Sequence, residues 1–316
     1  MGQAGVLSRL LPARFGSAWT YAGAAAPGQM PARWLRDRFR VDRISDRTRV
    51  FGVAGAPIGH SASPAMHNAA LQAAGIDAVY LPVHAATAAD AHTLARHFHL
   101  EGLSVTAPIK NGWLELPGVR SADDVVTQLG VVNTVRFYDI GSEVRNFDVD
   151  ACLDGLAAAG VACQGARAIV LGAGGAARAA AYGLARCGAD VAVSARRGEQ
   201  ARALADQLGI PSVPWPPEGR CDILVNATSC GTWPAVDDSP VSLDALEPRV
   251  VYDLIYNPEH TALLRDADAR GLATVGGLDM LVAQAARQFT WWTGVSPDAA
   301  VMRDAARQFV QEQKES

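Results

Sequence analysis

Lysine is nearly missing from this 316-residue chain: of 28 cationic residues only Lys110 and Lys314 are lysines, and the others are arginine. No basic block occurs and the net charge is −4, which excludes a phosphate-backbone binder of the usual kind, since such affinity depends on clustered cations. No nucleic-acid partner is expected, and a small-molecule partner is. The five cysteines (Cys152, Cys163, Cys187, Cys221, Cys230) form no C-x-x-C pair and no His-flanked ligand spacing. Neither a zinc site nor a disulfide framework is expected, nor any other metal, and the thiols read as reduced and cytoplasmic. No window offers about 18 uninterrupted apolar residues, so no membrane span is expected. What is present is ordinary globular material, 49% hydrophobic and 19% charged, long enough for two domains with cores of their own.

The scarcity of lysine singles out Lys110. Arginine cannot release its proton in a protein, whereas lysine can be tuned to do so. Lys314 lies in the polar tail QEQKES, where nothing special is required of it. Lys110 is therefore a candidate proton-transfer residue, with an incidental surface lysine as the plain alternative.

From Arg49 the pattern alternates strand and helix. RVFGVAGAPI is apolar and bounded by Gly and Pro; SPAMHNAALQAAG follows with Met66, Ala69, Ala70 and Ala73 at helical spacing. AVYLPV, the helix ADAHTLARHFHLEG and the strand LSVTAP come next, the last carrying Thr106 and Lys110 at its carboxyl end. VVNTVRFYD and EVRNFDV read as a hairpin. The alternation predicts a small, mostly parallel α/β domain over about residues 48–148.

A second unit opens with the helix DACLDGLAAAG and the run ARAIVLGAGGAARAAAYGLARCGADVAVSARR. Gly172, Ala173, Gly174, Gly175 and Ala176, with Ala177 after them, approximate G-x-G-x-x-A between a strand and an Ala-rich helix. In that context the backbone can approach a pyrophosphate at a helix N-terminus; a tight strand-to-helix turn is the plain reading. The second strand ends in SARR: Ala195 offers no acceptor for a ribose 2′-hydroxyl, while Arg196 and Arg197 offer two cations for a 2′-phosphate. NADP is favoured over NAD. CDILVNATSCG and RVVYDLIYN supply further strands, placing Asn226, Ala227, Thr228 and Leu254 at carboxyl ends, where open α/β sheets bind ligands. GGLDMLVAQAARQFTWWTG reads as a helix in which Trp291 and Trp292 are packing residues, and SPDAAVMRDAARQFVQEQ as a last helix with a Ser-Pro start signal.

GAPIGHSASP, SVTAPIK, VVNT, NFD, GAGGAARA, NATSCG, DLIYN and GLDMLVAQA stand in an order and spacing that resembles the shikimate dehydrogenase family over residues 49–316. The resemblance implies an α/β fold in which an N-terminal substrate domain (48–148 and 279–316, the C-terminal helices returning to it) accompanies a Rossmann-type NADP-binding domain (149–278). It implies reversible NADPH-dependent reduction of 3-dehydroshikimate to shikimate in the cytoplasm, by a monomer or homodimer. It gives Ser61 and Ser63, with Tyr256, as holders of the substrate carboxylate. Lys110 and Asp148 are its catalytic pair, Thr106, Asn133 and Gln284 its ring-hydroxyl ligands, and Gly277 joins the cofactor set. A Lys beside a carboxylate can hold and pass the proton that ketone reduction requires. The plainer readings stay open: Ser61 and Ser63 as caps for the helix at Pro64, and Asp148 as a loop carboxylate. Three positions depart from the family pattern: Ser104 for Asn, Phe147 for Thr and Val149 for Gly, which leaves shikimate and quinate both open as substrates. The alternatives are an NAD-preferring quinate or shikimate dehydrogenase, and a non-catalytic sensor of nucleotide and metabolite.

Residues 1–47 precede that match. The acid-poor start has the composition of a transit peptide, and MGQAGV lacks the Ser or Thr that myristoylation requires. Arg9, the GS-x-x-TY run and APGQ instead resemble the closing segment of type I 3-dehydroquinate dehydratase, with Arg9 and Gln29 matching and Ala25 in place of a serine. A dehydratase-like remnant, packed on the dehydrogenase or mobile, and a truncated two-enzyme fusion are the expectations. One or two strands of an eight-stranded barrel bury no core, and no lysine precedes Lys110 to form a Schiff base, so dehydratase activity is not expected.

Overall fold

The computed structural model describes residues 5–23, 29–121 and 123–314. Ala25 and residues 26–28 of APGQ, named above, lie outside these. The chain divides into two compact units, residues 1–146 with 285–316, and residues 147–284.

The first unit runs α1 (Val6–Leu10), β1 (Arg49–Gly55), α2 (Ser63–Ala73), β2 (Ala78–His84), α3 (Ala88–His97), β3 (Gly102–Val105), β4 (Val119–Ser121), α4 (Asp124–Leu129), β5 (Thr134–Phe137) and β6 (Ser142–Arg145). Its sheet has the order β2-β1-β3-β5-β6-β4. β1 is buried along nearly its whole length, as a continuous apolar strand covered on both faces should be. The sheet is mostly parallel, as the alternation implies, with β5 reversed and antiparallel to both β3 and β6. That reversal brings the start of β5 beside the carboxyl end of β3. Thr87 and Asp123 cap α3 and α4 by accepting from Asp90 N–H at 3.0 Å and Val126 N–H at 2.7 Å.

The described head residues belong to this unit. Leu7, Leu10, Leu11, Leu35, Phe39 and Ile44 are buried in one apolar cluster with Leu81, Val83 and Leu103. The Arg14 guanidinium donates to the carbonyls of Thr48 and Phe98. Trp34 Nε1 and Arg38 both donate to Glu312, at 3.1 and 2.9 Å, and Arg38 lies 4.4 Å from the Trp34 ring centroid.

The second unit runs α5 (Asp148–Ala158), β7 (Arg167–Leu171), α6 (Gly175–Arg186), β8 (Asp190–Ser194), α7 (Gly198–Leu208), β9 (Ile223–Asn226), β10 (Val250–Asp253), α8 (Ala262–Ala269) and β11 (Ala273–Gly276). Its sheet, β11-β10-β9-β7-β8, is parallel throughout. This is the Rossmann-like arrangement the alternation implies, with the order reversing beside β7. α9 (Gly277–Thr293) begins here, its residues from 285 onward belong to the first unit, and α10 (Ala299–Lys314) ends that unit.

Trp292 is buried in the first unit, stacked on Phe51 at 5.4 Å and donating to Val135 O at 3.0 Å. Gly102 leaves the space it fills, since a Cβ there would lie 2.5 Å from the indole nitrogen. α10 departs from its expected start: Asp298, not Ser296-Pro297, accepts from the N–H of Ala300 at 2.8 Å. A carboxylate is a strong acceptor for the open N–H groups of a first turn and also suits the helix dipole.

Candidate active site

In the first unit, five of the expected residues sit at one sheet edge. Ser61 and Ser63 follow β1; Thr106 and Lys110 follow β3; Asn133 immediately precedes β5. Backbone bonds lock these loops together: Thr106 N–H to Ala54 O at 2.9 Å, Val105 N–H to Asn133 O at 2.7 Å, and Val132 N–H to Lys110 O at 2.8 Å. Gly55 permits the approach, since a Cβ there would lie 2.6 Å from Thr106 Cγ2 and 2.8 Å from Ala107 O. Below the Lys110 turn, the buried Trp113 donates Nε1–H to Ile109 O at 2.8 Å. Lys110, Ser61 and Thr106 are half-buried, and Ser63 and Asn133 are buried.

A buried relay supports this edge. The Tyr80 hydroxyl donates to Ser104 Oγ at 2.6 Å, Ser104 to Gln288 Oε1 at 2.6 Å, Gln288 Nε2 to Thr134 Oγ1 at 3.0 Å, and Thr134 to Asn133 Oδ1 at 2.6 Å. Gln288 Nε2 also donates to Asn133 O at 3.2 Å, and the chain, running in a single direction, fixes the Asn133 amide. Burial pushes the Tyr80 phenol far up, against hydrogen bonds with Ser104 and Ser63 that work the other way. Ser63 is thereby tied to the same relay, and it does not cap α2: its own N–H donates to Ser61 Oγ at 3.3 Å. The Ser104 hydroxyl, at a position that departs from the family pattern, is used wholly inside the relay. His67 stacks on Tyr80 with ring centroids 4.2 Å apart. Burial lowers its pKa to about 3, opposed by a weaker hydrogen bond with Gln288, so the ring is neutral.

In the second unit the glycine turn has the shape a pyrophosphate requires. Gly172 has φ +110°, and a Cβ there would meet Ala227 O at 3.0 Å. Gly174 precedes α6 in an extended conformation, with open space where a Cβ would project and no side-chain cap on the helix. The first-turn N–H groups of α6 are thus presented to an anion by backbone alone. Arg196 and Arg197 are exposed just beyond β8, and the Arg196 charge reaches Cys230 in the loop after β9, opposing the rise that burial causes in that thiol.

Asn226 is fully buried and consumed by its own loop. Its Oδ1 accepts from Thr228 N–H at 3.0 Å and Thr228 Oγ1 at 2.7 Å, while Nδ2 donates to Asp253 at 3.0 Å. Asp253 also accepts from Ile255 N–H at 3.0 Å and Thr261 Oγ1 at 2.7 Å. Burial raises its pKa against these bonds. Leu254 and Gly277 are brought together, for a Cβ on Gly277 would press into the Leu254 and Ile255 carbonyls. Asp148 is buried in the first turn of α5, and its charge adds to the burial that pushes Cys152 up to about 12. Val149 packs over Gly183 of α6, whose Cβ would lie 3.3 Å from Val149 Cγ1. Tyr256 and Gln284 are half-buried, and Gln284 donates to Leu281 O of its own helix at 2.9 Å.

Gln288, Tyr80, His67, Asp253 and Thr261 were not anticipated. Gln288 carried one signal, standing one helical turn after Gln284. Among the described residues no cluster of three or more His, Cys, Asp or Glu side chains could hold a metal ion, and no helix is long and apolar enough to cross a membrane.

Comparison with known proteins gives the chain its family. The shikimate dehydrogenase substrate binding domain matches residues 53–135, and the shikimate 5'-dehydrogenase C-terminal domain matches residues 277–307. A shikimate dehydrogenase (NADP(+)) of Methanosarcina acetivorans is 38% identical over 279 residues, covering 83% of this chain and 99% of that protein. The chain belongs to the shikimate dehydrogenase family. A family member from Thermus thermophilus, solved with NADP(H) and shikimate, superposes with TM-score 0.75 at 35% identity, covering 83% of this chain and 99% of its own. The type I 3-dehydroquinase family matches residues 1–46. The bifunctional 3-dehydroquinate dehydratase/shikimate dehydrogenase of Arabidopsis thaliana is 32% identical over 323 residues, covering 93% of this chain and 53% of that protein.

Proposed function

We propose that this chain catalyses the reversible NADPH-dependent reduction of 3-dehydroshikimate to shikimate. The carrying observation is the first unit's sheet edge, where Ser61, Ser63, Thr106, Lys110 and Asn133 converge on three interlocked loops. NADP(H) fits the second unit: Gly172–Ala176 and α6 suit the pyrophosphate, and Arg196 with Arg197 suits a 2′-phosphate. Asn226, Ala227, Thr228, Leu254 and Gly277 form the rest of that surface, with Asn226 acting through the loop it folds. When bound, the nicotinamide supplies the hydride that the ketone carbon receives.

The residues of this chain do the remaining work. Ser61 and Ser63 orient the substrate through its carboxylate. Thr106 and Asn133 hold ring hydroxyls, Asn133 in an amide orientation set by the buried relay. Lys110 donates a proton to the carbonyl oxygen as it gains charge; Tyr256, Gln284 and Asp148 keep the roles that the family resemblance gives them. In the oxidative direction Lys110 accepts the hydroxyl proton.

We further infer that residues 1–46 are a dehydroquinase-type segment, whose described residues Leu7, Leu10, Leu11, Leu35, Phe39 and Ile44 serve as part of the first unit's core, and that this chain dehydrates no 3-dehydroquinate. The test of the main reading is a steady-state assay of NADP reduction with shikimate, alongside quinate and a separate 3-dehydroquinate dehydration assay. Turnover of shikimate with NADP is expected. Nucleotide binding without turnover of either hydroxy acid would overturn the reaction, and dehydration of 3-dehydroquinate would overturn the reading of the head.

A further inference from the structure

We propose that Cys163 and Cys187, in the second unit, are a redox-modification site: a dithiol that low-molecular-weight disulfides such as oxidised glutathione convert to an intramolecular disulfide. Cys163 lies in the turn before β7, and Cys187 is the residue that ends α6. Far apart in sequence, they are brought together by two glycine turns laid side by side. Gly165 N–H donates to Gly188 O at 2.8 Å, Asp190 N–H to Ala166 O at 2.8 Å, and Ala166 N–H to Cys163 O at 3.0 Å. Gly165 and Gly188 have φ of +73° and +82°, and a Cβ on Gly188 would collide with the Gln164 amide. The left-handed conformation of both turns favours glycine.

The outcome is a pair of half-buried thiols that interact with each other, neither in a disulfide; burial first, and then Cys187, raises the Cys163 thiol. The other cysteines are placed differently. Cys152 and Cys221 are buried, and burial pushes their thiols up to about 12 and about 11; Cys230 sits in the loop after β9, with Asp238 and Arg196 as charged neighbours.

The chemistry balances as thiol–disulfide exchange. One cysteine thiolate attacks oxidised glutathione, forming a mixed disulfide and releasing one glutathione. The second cysteine displaces the other glutathione and closes the ring. The protein dithiol loses two electrons, which reduce the S–S bond of the oxidant, and the two thiol protons end on the two glutathiones. The ring so closed contains β7, the glycine turn Gly172–Gly175 and α6, so oxidation would cross-link the two ends of the strand–turn–helix segment that carries the proposed phosphate cradle. This chemistry is independent of the reaction proposed above.

The test uses the full chain, reduced, freed of reductant, and incubated with oxidised glutathione before thiol titration in denaturant and peptide mapping. Titratable thiols are expected to fall from five to three, with a mass loss of two hydrogens and one peptide linking Cys163 to Cys187, all reversed by dithiothreitol. Cys163→Ser and Cys187→Ser, each still folded by circular dichroism, should form no such link. Retention of all five thiols, a stable glutathione adduct without ring closure, or a link through Cys152 would each overturn the proposal.

Discussion

The two sheets end in different materials. At the carboxyl edge of the first, the proposed function rests on side chains, Ser61, Thr106, Lys110 and Asn133, on loops tied by backbone bonds and backed by a buried relay of neutral polar groups. At the edge of the second it rests on backbone: Gly172 and Gly174 clear the way to a helix start, and the buried carboxylate of Asp253 serves to fold the loop beside them. A small polyhydroxy acid must be distinguished group by group, which needs side chains of fixed orientation. A pyrophosphate presents the same anionic oxygens to every binder, and N–H groups suffice for it.

Substitutions can break this division of labour, and the largest effect belongs to the first edge. Lys110→Ala should lower kcat by at least about 100-fold, as loss of a positioned acid does, while the Kd for NADPH, measured by fluorescence titration, stays unchanged. Loss of nucleotide affinity in that variant would contradict the separation. In the second unit, Gly172→Val places a branched side chain at φ +110° against the Ala227 carbonyl. A cost of roughly 2–3 kcal/mol is expected, read in thermal unfolding, with the KM for NADP raised at least about tenfold and the KM for shikimate little altered. Asp253→Ala leaves Asn226, Thr261 and the Ile255 N–H without their acceptor, a loss of about 2 kcal/mol or more in denaturant unfolding.

The smallest effect sharpens the comparison through pH. His67 has a folded pKa of about 3, below its unfolded value near 6.5, so the unfolded chain binds the extra proton and stability falls as pH drops below 6.5. The loss should be about 2 kcal/mol at pH 5, and His67→Phe, which keeps the stacked ring, should abolish that limb of the pH–stability curve. Asp253 acts in the opposite sense: its pKa is raised, so its contribution is fullest below the unfolded value and is lost as pH rises through the folded one. Acid should therefore weaken the first unit before the second. A pH-stability profile unmoved by His67→Phe would refute the first half of that expectation.

Much of this was legible in the sequence, for identifiable reasons. Gly172–Gly175 and the Ala-rich helix after them form a local pattern, and local patterns survive into structure. Lys110 stood out because the rest of the chain avoids lysine. The supports were hidden, since Tyr80, Ser104, Thr134 and Gln288 come from four separate elements and meet only when β2, β3, β5 and α9 are assembled. β4 and β11 span three and four residues, too few for any alternation to show. Asp253 went unremarked within RVVYDLIYN, because nothing local signals that Asn226 and Thr261 will converge on it. The expected cap at Ser296-Pro297 failed because Asp298, nearer the first turn, is the better acceptor.

The most direct measurement is kcat/KM for shikimate oxidation with NADP and with NAD, in the native chain and in the Arg196→Ser/Arg197→Ser variant. NADP should be preferred at least about tenfold, the size expected when charge-assisted bonds hold the 2′-phosphate. The variant should lose most of that preference with the KM for shikimate unchanged. Equal rates with both cofactors in the native chain, or a preference for NAD, would contradict the account.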